Sequence, residues 1–223
     1  MNNILNHNFT GFNKEGIQFL SNLSQNNNKL WFDQNKQIFK NKLESPAKAF
    51  LSAIITELDI SFNLKVEGKI FRIYRDIRFS KDKTPYNTHL RMSFTIPGKK
   101  AGPALMLSIE HNKNLILGCG IFEFSKEDKD TYREFITNDK AAFEFDKIIE
   151  NIKTNKYKID IPSYKKIPAG YDESHPRANM LKAKGITIWQ KCSLPNEFYN
   201  KKAVEYCINT FQTMLPLFRW LDF

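Results

Sequence analysis

Three apolar stretches in the middle of the chain are joined by very short connections. The stretches cover residues 90–96, 104–109 and 114–122, and the turn-rich sequences PGKKAGP and HNK separate them. A parallel strand pair needs a crossover of about a dozen residues or more. Because these connections are shorter, the sequence predicts an antiparallel meander.

Helical periodicity precedes the meander. Apolar residues recur at helical spacing over residues 13–25 and 30–43, and the triplet Asn26-Asn27-Asn28 interrupts the pattern between them. Pro46 stands at the predicted first position of a third helix, over residues 46–58. The N-terminal quarter is therefore predicted to be helical.

Helical periodicity also returns after the meander. Ser125 is a predicted N-cap for helices over residues 126–149, and a short helix near 179–184 and a strand at 185–190 follow an irregular Lys- and Pro-rich stretch. A final helix is predicted from Pro195 to just before Pro216. Helix blocks around a run of strands indicate an α+β fold, with a central antiparallel sheet flanked by N- and C-terminal helices. The length of 223 residues, without a linker or repeat, predicts a single domain over residues 1–223.

Residues 70–79 alternate as well and predict a strand just before the meander. Its predicted polar face carries Arg72, Asp76 and Arg78, and Arg75 falls among the apolar residues of the other face. That apolar face consists of Phe71, Ile73, Ile77 and Phe79.

Arginine is concentrated in this segment, which holds three of the seven arginines of a chain with 27 lysines. A planar guanidinium binds phosphate or carboxylate with two parallel hydrogen bonds, as lysine cannot. We therefore expect an anion-binding strand and turn formed by Arg72, Arg75, Arg78, Ser80, Lys81 and Lys83. The structural alternative is an internal ion-pair network, in which Asp76 pairs with Arg72 and Arg78 while Arg75 pairs with a distant acid.

Excess positive charge lies in two segments of the chain. The formal net charge is +10, with eight basic and three acidic residues over 65–91 and nine basic and three acidic residues over 151–191. A basic surface favours an anionic small molecule or nucleic acid as partner. We expect the two segments to adjoin, so that Arg177 contributes to the same anion site as Arg78.

Four residues near the arginines could act in acid–base catalysis if the protein is an enzyme. Asp76, Asp82 and His89 are the candidate acids or bases, and Tyr86 is a candidate donor. We expect the neighbouring cations to lower the pKa of His89, which would suit a neutral base at pH 7. The other histidines, His7, His111 and His175, lack metal-ligand spacing, and we assign no metal site and no cofactor.

The three cysteines, Cys119, Cys192 and Cys207, show no C-x-x-C spacing, and we interpret them as reduced thiols, mostly in the core. No segment approaches the ~18 apolar residues of a membrane span. Residues 1–10 have neither a basic nor an apolar leader region. We therefore expect a cytoplasmic protein.

Four motifs, taken together, resemble a known family. They are LSQNNNKLWF at residues 23–32 with Lys36, the block over 72–86, PAGY at 168–171 followed by His175-Pro176, and PLFRWL at 216–221. They resemble the bacterial and fungal family of conserved proteins known as domain of unknown function 2461, which carries no assigned reaction. One departure is Asn87, where the family pattern leads us to expect lysine. The resemblance implies a single domain and points to Arg75, Asp76, Arg78, Phe79, Ser80, Asp82, Lys83, Pro85 and Tyr86.

Three functional interpretations follow from these residues. The first is a binding module for a phosphorylated or other anionic ligand, including nucleic acid. The second is an enzyme acting on a phosphate-containing or nucleotide-like substrate. The third is a structural role, in which the arginine block locks the fold.

Overall fold

The computed structural model describes residues 8–99 and 101–223 and confirms the α+β fold with a six-stranded antiparallel sheet. The order of strands in the sheet is β1-β2-β3-β4-β6-β5. The strands are β1 (Glu67–Ile70), β2 (His89–Thr95), β3 (Ala104–Glu110), β4 (Asn114–Ile121), β5 (Lys158–Asp160) and β6 (Ile186–Ser193). The helices are α1 (Lys14–Gln25), α2 (Lys29–Ile38), α3 (Ser45–Phe62), α4 (Lys126–Thr137), α5 (Asp139–Thr154), α6 (Ala178–Leu181) and α7 (Lys202–Trp220).

The described residues fall into two compact units. The first runs to Phe94 and includes Met106–Leu117 and Lys191–Thr210, and the second comprises Thr95–Leu105, Gly118–Gln190 and Phe211–Phe223. The single domain over residues 1–223 therefore stays a prediction.

The first two helices each begin after an asparagine whose side chain caps a free backbone N–H group. Asn13 caps α1 by accepting from the N–H of Glu15, and Asn28 caps α2 by accepting from the N–H of Trp31. The asparagine triplet thus separates the first two helices as predicted. Pro46 lies in the first turn of α3, where its missing N–H costs no hydrogen bond.

A π-helical turn, Phe39–Glu44, joins α2 to α3 and was not predicted. Helix α1 packs closely against this turn at Gly16, where an added Cβ would lie 2.0 Å from the Lys42 carbonyl oxygen. Only a residue without a side chain allows this approach. The wider turn also keeps Leu43 fully buried.

The three predicted strands of the meander are confirmed as β2, β3 and β4, with boundaries within one residue of those predicted. Their buried faces consist of Leu90, Met92 and Phe94 in β2, Leu105, Leu107 and Ile109 in β3, and Leu115, Leu117 and Cys119 in β4. The sheet also contains the short strand β5, which pairs antiparallel with β6 through Ile159 and Ile188. That strand lies in the stretch predicted to be irregular.

The predicted strand over residues 70–79 is wrong, because β1 ends at Ile70 and an irregular loop follows. Residues 71–88, named the arginine loop below, contain only the isolated bridge between Tyr74 and Tyr86. Side chains of Asp76 and Asp82 bond nearby backbone N–H groups, and such local bonds compete with strand pairing. Of the four residues predicted on one apolar face, only Ile73 is buried, and Phe79 is 96% exposed.

Helix α4 begins with the predicted cap. The Ser125 side chain accepts from the N–H of Asp128, and the Asp128 carboxylate accepts from the N–H of Ser125, which completes a capping box. Helix α4 packs against α5 and α6 within the second unit.

The predicted end of the last helix before Pro216 is also wrong, because α7 continues through this proline to Trp220. Pro216 is exposed, while Leu217 and Phe218 directly after it are fully buried. Burial of these side chains offsets the hydrogen bond that proline removes from a helix. The Trp220 ring also packs on Phe145, with the ring centroids 4.6 Å apart.

Candidate functional site

The two ends of the arginine loop are fixed to the turn between α1 and α2. The Asn27 side chain donates to the Tyr86 carbonyl at 2.9 Å and accepts from the Tyr86 N–H at 3.1 Å. The Tyr86 ring stacks on Phe32 with a centroid distance of 4.1 Å, and Tyr74 packs against both rings. Two motifs that lie far apart in the sequence therefore meet at the base of the loop.

Backbone hydrogen bonds on both sides of the Tyr74–Tyr86 bridge extend the pairing at the base of the loop. The Arg75 N–H donates to the Pro85 carbonyl at 2.9 Å, and the Asn87 N–H donates to the Ile73 carbonyl at 2.6 Å. The Asn87 side chain also donates to the Arg72 carbonyl at 3.0 Å. Asn87 thus closes the loop with its side-chain amide.

Arg75 occupies the inside of the loop and binds three residues of its far side. Its Nη1 donates to Asp82 Oδ2 at 2.6 Å and to the Thr84 carbonyl at 3.0 Å, and it also contacts Thr84 Oγ1. Its Nη2 donates to Ser80 Oγ at 3.4 Å. The Arg75 side chain is only 23% exposed. Arg75 therefore has an acidic partner, as the structural alternative requires, but the partner is seven residues away and within the same loop.

Asp82 completes the network around Arg75. Its Oδ1 accepts from the Thr84 N–H at 2.9 Å, and its Oδ2 accepts from Thr84 Oγ1 at 3.0 Å. These bonds, first from Thr84 and then from Arg75, lower the pKa of Asp82 to about 2. The carboxylate is ionised at neutral pH and engaged in bracing the loop.

Arg78 and Asp76 form a second ion pair at the exposed part of the loop. Arg78 Nε donates to Asp76 Oδ1 at 2.9 Å, and Nη2 donates to Oδ2 at 2.6 Å, which is the bidentate geometry of a guanidinium and a carboxylate. The bonds from Arg78 lower the pKa of Asp76 and raise that of Arg78. The Arg78 side chain is nevertheless 76% exposed.

The remaining cations of the loop differ in their surroundings. Lys83 Nζ donates to the Ile77 carbonyl at 3.0 Å, so Lys83 also braces the loop. Lys81 and Arg72 are exposed, and Arg72 forms no ion pair with a described residue. The predicted set of ligand contacts thus separates into residues that hold the loop and residues that face solvent.

The candidate donor Tyr86 is buried at the base of the loop. Desolvation raises its pKa, and the nearby Tyr74 and Asp33 raise it further. Its hydroxyl is therefore protonated at neutral pH.

His89 is the first residue of β2 and is half-buried. Its pKa is lowered as expected, but burial is the main cause and the charge of Arg91 comes second, with Glu110 opposing. Of the four candidate acid–base residues, His89 has the environment of a neutral base.

A polar chain beside His89 was not found from the sequence. Arg91 Nε donates to Ser108 Oγ at 3.3 Å, and Ser108 Oγ donates to Glu110 Oε1 at 2.6 Å. These residues alternate with the buried apolar residues of β2 and β3 and therefore share one face of the sheet. The sequence signal for this polar chain is the placement of Arg91, Ser108 and Glu110 next to apolar residues within the predicted strands.

Arg177 lies in the second unit and already contacts carboxylates. Its Nη2 donates to Asp146 Oδ2 at 3.0 Å, and its Nη1 lies 3.8 Å from Asp139 Oδ1. The guanidinium thus connects the segment before α6 to α5. Most of the basic segment 151–191 belongs to this second unit, and the segment 65–91 belongs to the first, so their adjacency stays a prediction.

The cysteines agree with the interpretation as thiols. Cys119 and Cys207 are buried, and burial raises the pKa of both thiols, while Cys192 is half-buried. Over residues 8–99 and 101–223, no group of three His, Cys, Asp or Glu side chains is arranged to hold a metal ion. His7 lies outside the described residues. No helix in the described part of the chain has the length and apolar character needed to cross a membrane.

Comparison with protein families covers nearly the whole chain. The family model described as "Conserved hypothetical protein (DUF2461)" matches residues 15–220. No curated protein matches the chain. The matched range contains both the turn at Asn27 and the entire arginine loop, so the contacts between them fall within the family region.

Proposed function

The chain belongs to the DUF2461 family, and we propose that it binds a phosphate-bearing ligand at the exposed part of the arginine loop. The observation that carries this proposal is the position of Arg78. Asp76 holds its guanidinium in a fixed orientation, and the side chain is still 76% exposed.

The donor count at Arg78 supports the same proposal. A guanidinium has five N–H donors, and two of them point to Asp76. Three donors are left for a ligand, two on Nη1 and one on Nη2. A cation that is already oriented loses little conformational entropy when it binds an anion.

Residues of the loop divide into two roles in this proposal. Arg78, Lys81 and Arg72 supply exposed positive charge to the ligand. Arg75, Ser80 and Lys83 hold the backbone that presents them, since each of their side chains bonds another part of the loop. The structural interpretation of the arginine block thus applies to Arg75, while Arg78 is the ligand contact.

An enzymatic function is the second candidate, and His89 is the residue that favours it. Asp76 and Asp82 have lowered pKa values and are ionised at neutral pH, so neither is suited to donate a proton there. His89 has a lowered pKa and is neutral at pH 7. An acid–base reaction would therefore depend on His89, and His89→Gln would abolish turnover without weakening anion binding at Arg78.

Titration calorimetry with inorganic pyrophosphate at about 150 mM salt tests the binding proposal. Wild type should bind, and Arg78→Ala should weaken binding about tenfold or more, because charge-assisted hydrogen bonds are lost. Arg78→Lys keeps the positive charge but loses the paired N–H donors of the planar guanidinium. It should therefore recover only part of the affinity for pyrophosphate.

The control variant is Lys147→Ala, which removes an exposed cation of α5 in the other unit. It should bind pyrophosphate like wild type. Equal affinity of wild type and Arg78→Ala, or no binding by wild type at this salt concentration, would refute the proposal.

A further inference from the structure

Exposed aromatic rings accompany the exposed cations of the arginine loop. Phe79 is 96% exposed, Tyr74 is 48% exposed and Phe71 is 46% exposed. The Arg78 guanidinium carbon lies 5.9 Å from the centroid of the Phe79 ring, and Lys69 Nζ lies 5.2 Å from that of Phe71. Each of these two rings therefore has a cation at its side.

The Phe79 ring projects from a loop whose backbone is braced. Phe79 lies between two residues that are held by side-chain bonds. Arg78 is bound to Asp76, and the Ser80 hydroxyl accepts a hydrogen bond from Arg75. The Ser80 N–H also donates to the Ile77 carbonyl at 3.3 Å. A flat apolar surface is thus presented to solvent next to an oriented cation.

We propose that the arginine loop binds single-stranded nucleic acid, with a base stacked on Phe79 and the adjoining phosphate at Arg78. This inference rests on the proposed function, since it names the ligand class of the same site. Proteins that bind single strands combine aromatic surfaces for the bases with a positively charged track for the backbone.

Two observations favour single-stranded nucleic acid over other anionic partners. The rings of Phe71, Tyr74 and Phe79 alternate along the loop with Arg72 and Arg78, as bases alternate with phosphates along a strand. A duplex buries its base faces within the stack, so these rings would have no partner there. The segment over residues 65–91 carries eight basic and three acidic residues, which complements a polyanion.

A lipid surface is the competing partner, because a single exposed ring among cations could also insert at a membrane interface. The exposed rings here stand at positions 71, 74 and 79, with arginines between them rather than further apolar residues alone. Tyr74 is also held by Phe32 and Tyr86, with centroid distances of 5.7 and 5.4 Å. This arrangement favours stacking on the bases of a nucleic acid over insertion into lipid.

The chain offers a matched control for Phe79. Phe143 on α5 is 57% exposed and has Lys147 Nζ 4.3 Å from its ring centroid. Its next residue in the sequence, Glu144, is acidic and exposed, whereas Phe79 stands between Arg78 and Ser80. Phe143→Ala removes an equivalent exposed ring without changing the arginine loop.

The test measures the affinity of a fluorescent 12-nucleotide oligothymidylate by anisotropy at about 150 mM salt, alongside the pyrophosphate titration. Phe79→Ala should weaken oligonucleotide binding about 5- to 150-fold, the range for loss of one stacked base. Pyrophosphate binding should weaken much less, because the Phe79 ring beside Arg78 has no hydrogen-bond donor for a phosphate. Phe79→Trp should restore oligonucleotide binding, and Phe143→Ala should bind like wild type.

Three outcomes would overturn the inference. If pyrophosphate binds at Arg78 but Phe79→Ala binds the oligonucleotide like wild type, the stacking inference fails and the proposed function stands. If wild type binds neither probe, the proposed function fails as well. If phosphatidylserine vesicles bind wild type but not Phe79→Ala, and the oligonucleotide does not distinguish the two, the partner is a membrane and the inference is wrong.

Discussion

Replacing Arg75 by alanine tests whether this residue holds the arginine loop together. Arg75 Nη1 contacts Asp82 and Thr84, and Nη2 reaches Ser80, so one substitution removes every bond that this side chain makes across the loop. Breaking a fully buried ion pair costs about 3–5 kcal/mol because the remaining charge is stranded. The Asp82 side chain is 60% exposed, so its carboxylate can be hydrated again after the substitution.

The expected cost of Arg75→Ala is therefore lower than that of a buried pair. Net contributions of about 0.5–1.5 kcal/mol for each of two bonds, those to Asp82 and to the Thr84 carbonyl, give a loss of about 1–3 kcal/mol. For a chain of this length each kcal/mol lowers the melting temperature by about 2–4 °C if the loss is global. If the loop opens separately, the loss is seen only within the loop.

Native-state hydrogen exchange distinguishes global loss of stability from local opening. The N–H groups of Arg75 and Asn87 form the paired base of the loop, and their exchange should accelerate about tenfold for each 1.4 kcal/mol lost. Arg72→Ala is the matched control, since Arg72 is an exposed arginine of the same loop without an ion pair to a described residue. Equal exchange in wild type, Arg75→Ala and Arg72→Ala would refute the bracing role of Arg75.

Three further predictions concern the surroundings of the loop and the first unit. Asn27→Ala removes both side-chain bonds to the Tyr86 backbone and should destabilise the protein by about 1–2 kcal/mol in urea unfolding. Gly16→Ala forces a Cβ against the Lys42 carbonyl and should cost about 1–3 kcal/mol or more in the same assay. Because the pKa of Asp82 falls from 3.8 to about 2 on folding, its contribution to stability is present above pH 3.8 and is lost as the pH falls through about 2. Asp82→Asn should reduce this acid-dependent loss in unfolding curves measured between pH 5 and about 2.

Several elements could be predicted because local rules and tertiary packing agree there. Strands β2, β3 and β4 are rich in apolar residues and are joined by short turns, so their antiparallel pairing follows from geometry. The Ser125 cap is likewise determined by neighbouring residues, since Asp128 lies three positions later.

Other elements depend on packing that local sequence does not contain. Helix α7 continues through Pro216, and the two residues directly after it, Leu217 and Phe218, are fully buried. The alternation over residues 70–79 resembles that of a strand, but side-chain bonds of Asp76 and Asp82 to nearby N–H groups favour a loop.

The candidate site shows the same division. Concentration of arginine over residues 72–78 identified the segment, because arginine is scarce elsewhere in the chain. The separate roles of Arg75 and Arg78 depend on which carboxylate each side chain reaches. The partner Asp82 is seven residues from Arg75, and only the folded loop brings the two together.

The most direct test of the account is a nuclear magnetic resonance titration of the Nε–Hε signals of the seven arginines with pyrophosphate. We expect the Arg78 signal to shift and saturate, since its guanidinium faces solvent and keeps three donors that do not bond Asp76. The Arg75 signal should change little, because its guanidinium is engaged inside the loop. If the Arg78 signal stays unchanged, or drifts together with the other arginine signals without saturating, binding is diffuse and the assigned site is wrong.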